Sequence, residues 1–277
     1  MKVHCIGIGG IGVSALAQHF LSKGHQVSGS DLVASEITDF LEEKELEIMI
    51  GNTAEHITEG IDLVVYSPAV QKDNPEYKKA EELEITLKSY PEALGELTDE
   101  YVTIAVAGAH GKSTTTALIG LLLTKAGIDP TIIVGTKLKE LGGSNYRAGK
   151  SKYLVIEACE YDGSFLHYNP KITVITNVDK EHLDYFKSFE NVLKAFKDFI
   201  QKLPIDGFLV ANGDDVNVIS IAKGDFEKKF YSLEDREAET LKGILQIPGD
   251  HNVMNALAAL QVGRILSVDD ETAFASL

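Results

Sequence analysis

Twice in 277 residues, a short run of β-branched and apolar residues ends in a knot of glycines and passes at once into an apolar-periodic helix. The first junction is KVHCIGIGGIGVSALAQHFLSK; the second is YVTIAVAGAHGKSTTTALIGLLLTKAG. A strand that runs straight into a helix must pack that helix back across its own sheet. The right-handed return then lays the next strand parallel to the first. The remaining chain keeps this rhythm. HQVSGSD, LEIMI, DLVVYS and EITLKS read as strands after the first junction, and TIIVG, YLVIEA, KITVITN and GFLVANGDD after the second. NPEYKKAEEL, SFENVLKAFKDFIQKL and HNVMNALAALQVGRIL read as helices between or after them. Because the pattern restarts around Leu97–Glu100, the expected organisation is two α/β units, residues 1–98 and 99–277, each built on a parallel sheet.

Composition narrows the partners. Apolar residues make up 44% of the chain, enough for two cores, and no apolar run reaches the roughly 18–20 residues a membrane span needs. A net charge of −16 argues against nucleic acid, whose backbone calls for stripes of Lys and Arg, but leaves room for a small anion held locally. MKVHCIGIGG enters a strand pattern directly, so no signal peptide is read. Cys5 and Cys159 fall in different units and form no C-x-x-C pair, which fits a reducing cytoplasm and no disulfide. Membranes and nucleic acid are therefore not expected partners, and the chain is expected to be a monomer or weak dimer.

Gly7, Gly9 and Gly12 stand in G-x-G-x-x-G spacing, with Gly10 as an extra glycine, between a strand and a helix. Such a turn lets the backbone approach a diphosphate, which then faces the amides and positive dipole of the helix start. This predicts a Rossmann-like first unit. Asp31 ends the second strand, where a ribose-binding acid sits in dinucleotide enzymes, so an NAD-dependent dehydrogenase is an alternative; an ordinary turn acid is equally compatible. Lys112 and Ser113 have no explanation in the dehydrogenase reading.

The second junction, AGAHGKSTTT, is the stronger signal. Gly108 and Gly111 free the backbone to wrap phosphate, Lys112 supplies a charge for the β- and γ-phosphates, and Ser113 offers a hydroxyl to Mg²⁺. The general P-loop would place glycine at Val106, so the loop is a shortened variant in a P-loop ATPase-type α/β unit. Thr114 to Thr116 are poor helix formers, so some are expected to be there for their hydroxyls. Glu157 closes one later strand and Asn177 the next, at the strand ends where ligands collect in an open parallel sheet. His182 follows soon after. A carboxylate and an imidazole there are able to share a divalent ion with phosphate. Glu160, Asp162 and Asp184 read as outer or solvent-facing acids. In PGDHNVMNALAAL, His251, Asn252 and Asn255 share a helical face near its start, although Asp250 or Asn252 could simply cap the helix.

Taken together, GIGGIGVSALA, SGSD and AGAHGKSTTT resemble the Mur ligases of peptidoglycan synthesis, and the resemblance runs along essentially the whole chain. It implies that the first glycine run holds the diphosphate of a UDP-linked muramic acid rather than a nicotinamide cofactor, through Gly9, Gly10, Ile11, Gly12, Asp31 and Ser67. It implies that Gly108, Ala109, His110, Gly111, Lys112, Ser113, Thr114 and Asn177 hold ATP, with His251, Asn252 and Asn255 at the adenine end. EACEY aligns with the family's E-A-D-E-S and TNVDKEHLD with T-N-x-x-x-D-H-x-D, which places Ser113, Glu157 and His182 on Mg²⁺ and gives Lys112, Glu157 and His182 catalytic roles. Cys159 stands where the family has aspartate and Glu181 replaces the aspartate before the histidine. SFLHYNPKITVITN resembles the branch that adds L-alanine to UDP-N-acetylmuramate with ATP and Mg²⁺. EYD also resembles the murein tripeptide ligase branch, which usually carries extra residues before the next strand. The chain stops at ETAFASL within a helical pattern. The resulting expectation is that the family's third, amino-acid-binding domain is absent, and that these 277 residues bind both nucleotides but ligate poorly.

Overall fold

β-branched residues in the first half of the chain form a five-stranded, all-parallel sheet in the order β3-β2-β1-β4-β5. The computed structural model describes every residue from 1 to 277. This sheet holds β1 (Lys2–Ile6), β2 (Gln26–Asp31), β3 (Glu47–Ile50), β4 (Leu63–Tyr66) and β5 (Thr86–Ser89). Helices α1 (Ile11–Ser22), α2 (Glu36–Glu42), α3 (Pro75–Glu82) and α4 (Tyr90–Asp99) connect or follow its strands. Local chemistry sets the helix starts. Asn74 accepts the Glu76 and Tyr77 amides ahead of Pro75 at the first helical position of α3, and Ser35 forms a reciprocal box with Thr38 at α2.

The second sheet has seven strands in the order β12-β11-β10-β6-β9-β7-β8. They are β6 (Val102–Ala107), β7 (Thr131–Leu138), β8 (Ser144–Arg147), β9 (Tyr153–Glu157), β10 (Ile172–Ile175), β11 (Phe208–Asn212) and β12 (Glu227–Tyr231). Around them lie α5 (Lys112–Lys125), α6 (Leu183–Phe186), α7 (Phe189–Ile200), α8 (Val216–Ile221), α9 (Glu237–Ile244), α10 (Asp250–Ile265) and α11 (Asp270–Ser276). Strand β6 is central and buried, which is why VTIAVA is a continuous apolar run rather than an alternating one. Amphipathic α7 lays Phe196 and Phe199 onto Phe165, the Phe165 and Phe199 rings stacking at 4.6 Å. On the other face α5 and α10 pack through Ile119, Leu122, Leu257 and Leu260, all buried. No helix is long and apolar enough to cross a membrane.

Two strands depart from the sequence expectation. Strand β8 was not read, and it pairs antiparallel with β7, so the second sheet is not wholly parallel. Its sequence, SNYR, has no apolar period because Ser144, Asn145 and Tyr146 are spent on hydrogen bonds to α1. Edge strand β12, EKKFY, opens with three consecutive charges at the sheet margin and was also missed.

The bonds made by β8 fix how the two sheets sit together. Asn145 donates its amide to the Ile11 carbonyl and lies 3.2 Å from Ser14 Oγ; its Oδ1 accepts from Gln18 Nε2 at 3.1 Å. Ser144 Oγ donates to Gln18 Oε1 at 2.9 Å, and Tyr146 OH meets Ser22 Oγ at 2.7 Å. Gln18, Ser144, Asn145 and Tyr146 are all buried, so these are satisfied polar groups at a dry junction. Asn145→Ala would take one partner from the Ile11 carbonyl and one from the Gln18 amide, leaving them only the Ser14 hydroxyl and the Ser14 carbonyl. A loss of about 2 kcal/mol in unfolding free energy by urea denaturation is the expected result, and a change under about 0.5 kcal/mol would show the junction to be slack.

Candidate active site

Each sheet presents its glycine turn where the strand order changes direction. Strand β1 lies between β2 and β4, and β6 lies between β10 and β9. A crevice opens at the carboxyl end of such a strand because the flanking connections leave to opposite sides.

At the first turn, the Gly7 and Ile8 amides both donate to the Ser30 carbonyl, at 2.8 and 3.0 Å. The Gly9 amide donates to Asp31 Oδ2 at 2.8 Å, and a Cβ on Gly9 would sit at that same distance from the carboxylate oxygen. Asp31 thus shapes the loop with one oxygen while its residue lines the crevice. Helix α1 then starts at Ile11 with no side-chain cap and no acid in its first turn, leaving its leading amides for an anion. The adjoining crevice has a volume of about 580 Å³ and is lined by Gly7, Gly10, Asp31, Asn52, Ser67 and Asn74 among others.

The second turn is braced from the neighbouring strand. The Ala109 amide donates to the Asn177 carbonyl at 3.1 Å and the His110 amide to Asn177 Oδ1 at 2.8 Å. Asn177 Nδ2 and Thr176 Oγ1 both donate to the His110 carbonyl, at 2.9 and 2.6 Å. Both ends of the Asn177 amide therefore hold the loop. Gly111 caps α5 with left-handed backbone, and the first turn of the helix, carrying Lys112, Ser113 and Thr114, has neither an acid nor a side-chain cap. Two of the threonine hydroxyls are spoken for: Thr115 donates to Asn255 Oδ1 at 3.1 Å and Thr116 to the Lys112 carbonyl at 2.8 Å. Thr115 thereby ties α5 to α10. Val106, at the position of the missing glycine, is buried in β6.

Glu160, read as an outer or solvent-facing acid, is not solvent-facing: it is 1% exposed, between the Lys112 ammonium and the His182 ring. The ion pairs of Lys112 and His182 go to Glu160 rather than to Glu157. The Glu157 side chain instead accepts the Gly135 amide at 2.8 Å on the adjacent β7. His182 begins α6 in left-handed backbone, φ 53°, with its ring 4.9 Å from that of Tyr161. Backbone of this kind is costly for a non-glycine residue and gathers at functional sites.

A cleft of about 360 Å³ runs between the two sheets, bounded by Gly10, Ile11, Gly12 and Ser67 from the first and by Gly135, Glu157, Cys159 and Tyr161 from the second. Tyr90 lies against Gly12 in its wall, and burial pushes the phenol well above its ordinary range. A smaller pocket of about 290 Å³ on the far side of the Lys112 loop is lined by His110, Gly111, Asn177, Asn212, His251 and Asn255. Asn255 is buried there, and the His251 ring stands beside Gly249. Gly249 itself caps α10 with no side-chain bond; Asn252 reaches back to the Pro248 carbonyl, and Asp250 does not serve as the cap. Sequence reasoning missed Asn212, Tyr90 and Tyr161. Only Asn212 carried a signal, because it ends a strand just as Asn177 follows one.

A divalent ion fits this donor set. No three His, Cys, Asp or Glu side chains gather closely enough to hold a metal by themselves. Magnesium does not need them: it keeps water and takes much of its coordination from substrate phosphates. Glu160 Oε2 is buried and makes no hydrogen bond, with the Lys112 ammonium 3.0 Å away as the positive charge facing it.

Sequence comparison agrees along nearly the full length. The profile described as Mur ligase family, catalytic domain, matches residues 2–102, and that described as Mur ligase middle domain matches residues 106–263. The chain belongs to the Mur ligase family. Among its Mur ligase relatives, the UDP-N-acetylmuramate–L-alanine ligase of Caldanaerobacter subterraneus subsp. tengcongensis is 43% identical across 98% of this chain and 64% of its own length. That of Alkaliphilus metalliredigens is 43% identical across 96% of this chain and 63% of its own. The chain therefore spans less than two thirds of the length of these relatives. Among solved structures, the UDP-N-acetylmuramate-alanine ligase of Thermotoga maritima superposes with a TM-score of 0.87 at 27% identity, covering 100% of this chain and 68% of that one. The UDP-N-acetylmuramate:L-alanyl-γ-D-glutamyl-meso-diaminopimelate ligase of Neisseria meningitides gives a TM-score of 0.88 at 25% identity, covering 100% and 97%.

Proposed function

We propose that this Mur ligase chain carries the two nucleotide sites of an ATP-dependent ligase that joins L-alanine to UDP-N-acetylmuramate in the cytoplasm. Residues 1–98 would hold the UDP-sugar and residues 99–277 would hold ATP. The observation that carries the reading is the cleft between the sheets. It starts at the α1 amides, where a diphosphate belongs, and ends at Glu157, which is in register with Val106 on β6, the strand that leads into the second loop. A sugar carboxylate laid along it approaches a triphosphate wrapped by Gly108–Thr114. The identity of the relatives supports alanine as the acceptor amine and muramate as the acid.

The chemistry follows from that placement. A carboxylate oxygen attacks the γ-phosphorus, ADP departs, and an acyl phosphate forms. The amine of the amino acid then attacks the acyl carbon, and inorganic phosphate leaves as the amide bond forms. The α5 amides and Lys112 would stabilise charge spreading over the transferring phosphoryl group. Ser113, Glu157 and His182 would hold Mg²⁺, which supplies charge neutralisation on the phosphates when bound. Asn177 and Thr176 keep the loop in shape, and the Asn145 junction keeps acid and phosphate in register.

Calorimetric titration of these 277 residues tests the reading. Lys112→Ala is expected to weaken Mg-ATP binding by roughly 100-fold while UDP-N-acetylmuramate affinity stays within about twofold, because the two loops belong to separate sheets. NADH is expected not to bind. Unchanged ATP affinity in Lys112→Ala, or NADH competing with the UDP-sugar, would refute the assignment.

A further inference from the structure

Glu160 occupies a position that neither the loop motif nor the proposed reaction explains. It follows β9 by three residues and is 1% exposed. The Lys112 ammonium lies 3.0 Å from its Oε2 and 3.2 Å from its Oε1, and directs a hydrogen bond to Oε1 only. The other two ammonium protons go to the Gly108 carbonyl at 2.5 Å and the Ala109 carbonyl at 3.2 Å. All three donors of Lys112 are thus consumed, two by carbonyls of its own loop and one by Glu160. His182 Nε2, 3.8 Å from Oε1, is the one other ionisable group within ion-pair reach of Glu160.

This geometry sets up a competition. A triphosphate entering the loop needs the ammonium that Glu160 holds. If Lys112 turns to phosphate, a buried carboxylate is left close to a polyanion, and both lose by it. A divalent ion bound with the phosphates would ease the conflict by supplying positive charge in place of the ammonium. We infer that Glu160 is a positioning residue that ties occupation of the loop to the divalent ion: it holds Lys112 against a bare nucleotide and releases it only when a cation arrives with the phosphates. Ligation by nucleotide that lacks its metal is thereby discouraged at the binding step. The inference rests on the proposed ATP site.

The test is ATP affinity of the 277-residue chain, by titration calorimetry, with excess magnesium and again with EDTA. The unsubstituted chain should bind ATP in EDTA at least roughly tenfold more weakly than with magnesium. Glu160→Gln keeps the side-chain volume and loses the charge. It should gain roughly tenfold in metal-free affinity, flattening the magnesium dependence. Glu160→Asp keeps the charge and should show no such gain. A purely structural role predicts the opposite sign, weaker binding of both forms in Glu160→Gln. If glutamine prevents folding, Glu160→Met, neutral and of similar volume, gives the same reading. Metal-free affinity that is unchanged or lower in the neutral variant overturns the inference while leaving the ATP site standing. Failure of the unsubstituted chain to bind Mg-ATP overturns both.

Discussion

Replacing Gly108 with alanine is expected to remove at least about 3 kcal/mol of folding free energy and to abolish nucleotide binding. The backbone at Gly108 has φ 146°, a conformation L side chains rarely adopt. The added Cβ would overlap Thr176 Oγ1 and lie 3.0 Å from the Asn177 carbonyl and 3.1 Å from its amide. Those are the groups that brace the loop, so neither the loop nor the end of β10 can give way without losing bonds to Ala109 and His110. Strain of about 1–3 kcal/mol from the dihedral therefore adds to steric overlap against main chain. Urea denaturation and Mg-ATP titration on the same preparation check both parts. A variant within about 0.5 kcal/mol of the parent that still binds nucleotide would mean that the turn is far more pliable than its bonding indicates.

The second large effect is on pH. His19, on the buried face of α1, is 3% exposed and surrounded by Phe20, Tyr101 and Tyr146. Burial, with smaller contributions from Lys23 and His25, lowers its pKa from 6.5 to about 4. The folded state thus keeps this ring neutral while the unfolded chain protonates it. The stability that His19 contributes is complete above the unfolded pKa of 6.5 and drains away as pH falls towards about 4. The loss should reach about 2–3 kcal/mol across that window. Because the ring lies 3.3 Å from Tyr146 OH, the loss falls on the junction between the sheets. His19→Phe removes the titrating group and leaves an aromatic ring in place. Stability–pH curves for parent and variant should diverge between pH 6.5 and 4, the parent falling faster, with carboxylate titrations common to both. Parallel curves would show that His19 is hydrated in the folded state.

The residues most legible in the sequence were those whose chemistry is local. Tightly turning glycines and the apolar helix beyond them are adjacent in the chain, so GIGGIG and AGAHGKS announced two glycine turns and two β-α units. Fully buried strands such as VTIAVA and YLVIE were equally plain, because burial on both faces demands unbroken apolar runs. Strand β8 was invisible for the opposite reason: Ser144, Asn145 and Tyr146 take their partners from residues more than a hundred positions away. In EACEYDG, Glu160 could be read only as an outer or solvent-facing acid, since glutamate is rarely buried unless paired and its partners Lys112 and His182 come from other β-α units.

The sequence by itself determined the class of fold, the two glycine-rich β-α turns and the family, because each depends on short-range pattern. Tertiary structure alone decided which carboxylate meets Lys112, that Asn177 braces the loop with both ends of its amide, and how the first glycine turn faces Gly135 and Glu157 across a shared cleft. Those facts depend on which strand ends lie side by side, and a sheet order such as β10-β6-β9 is set by packing between distant segments that no local motif encodes.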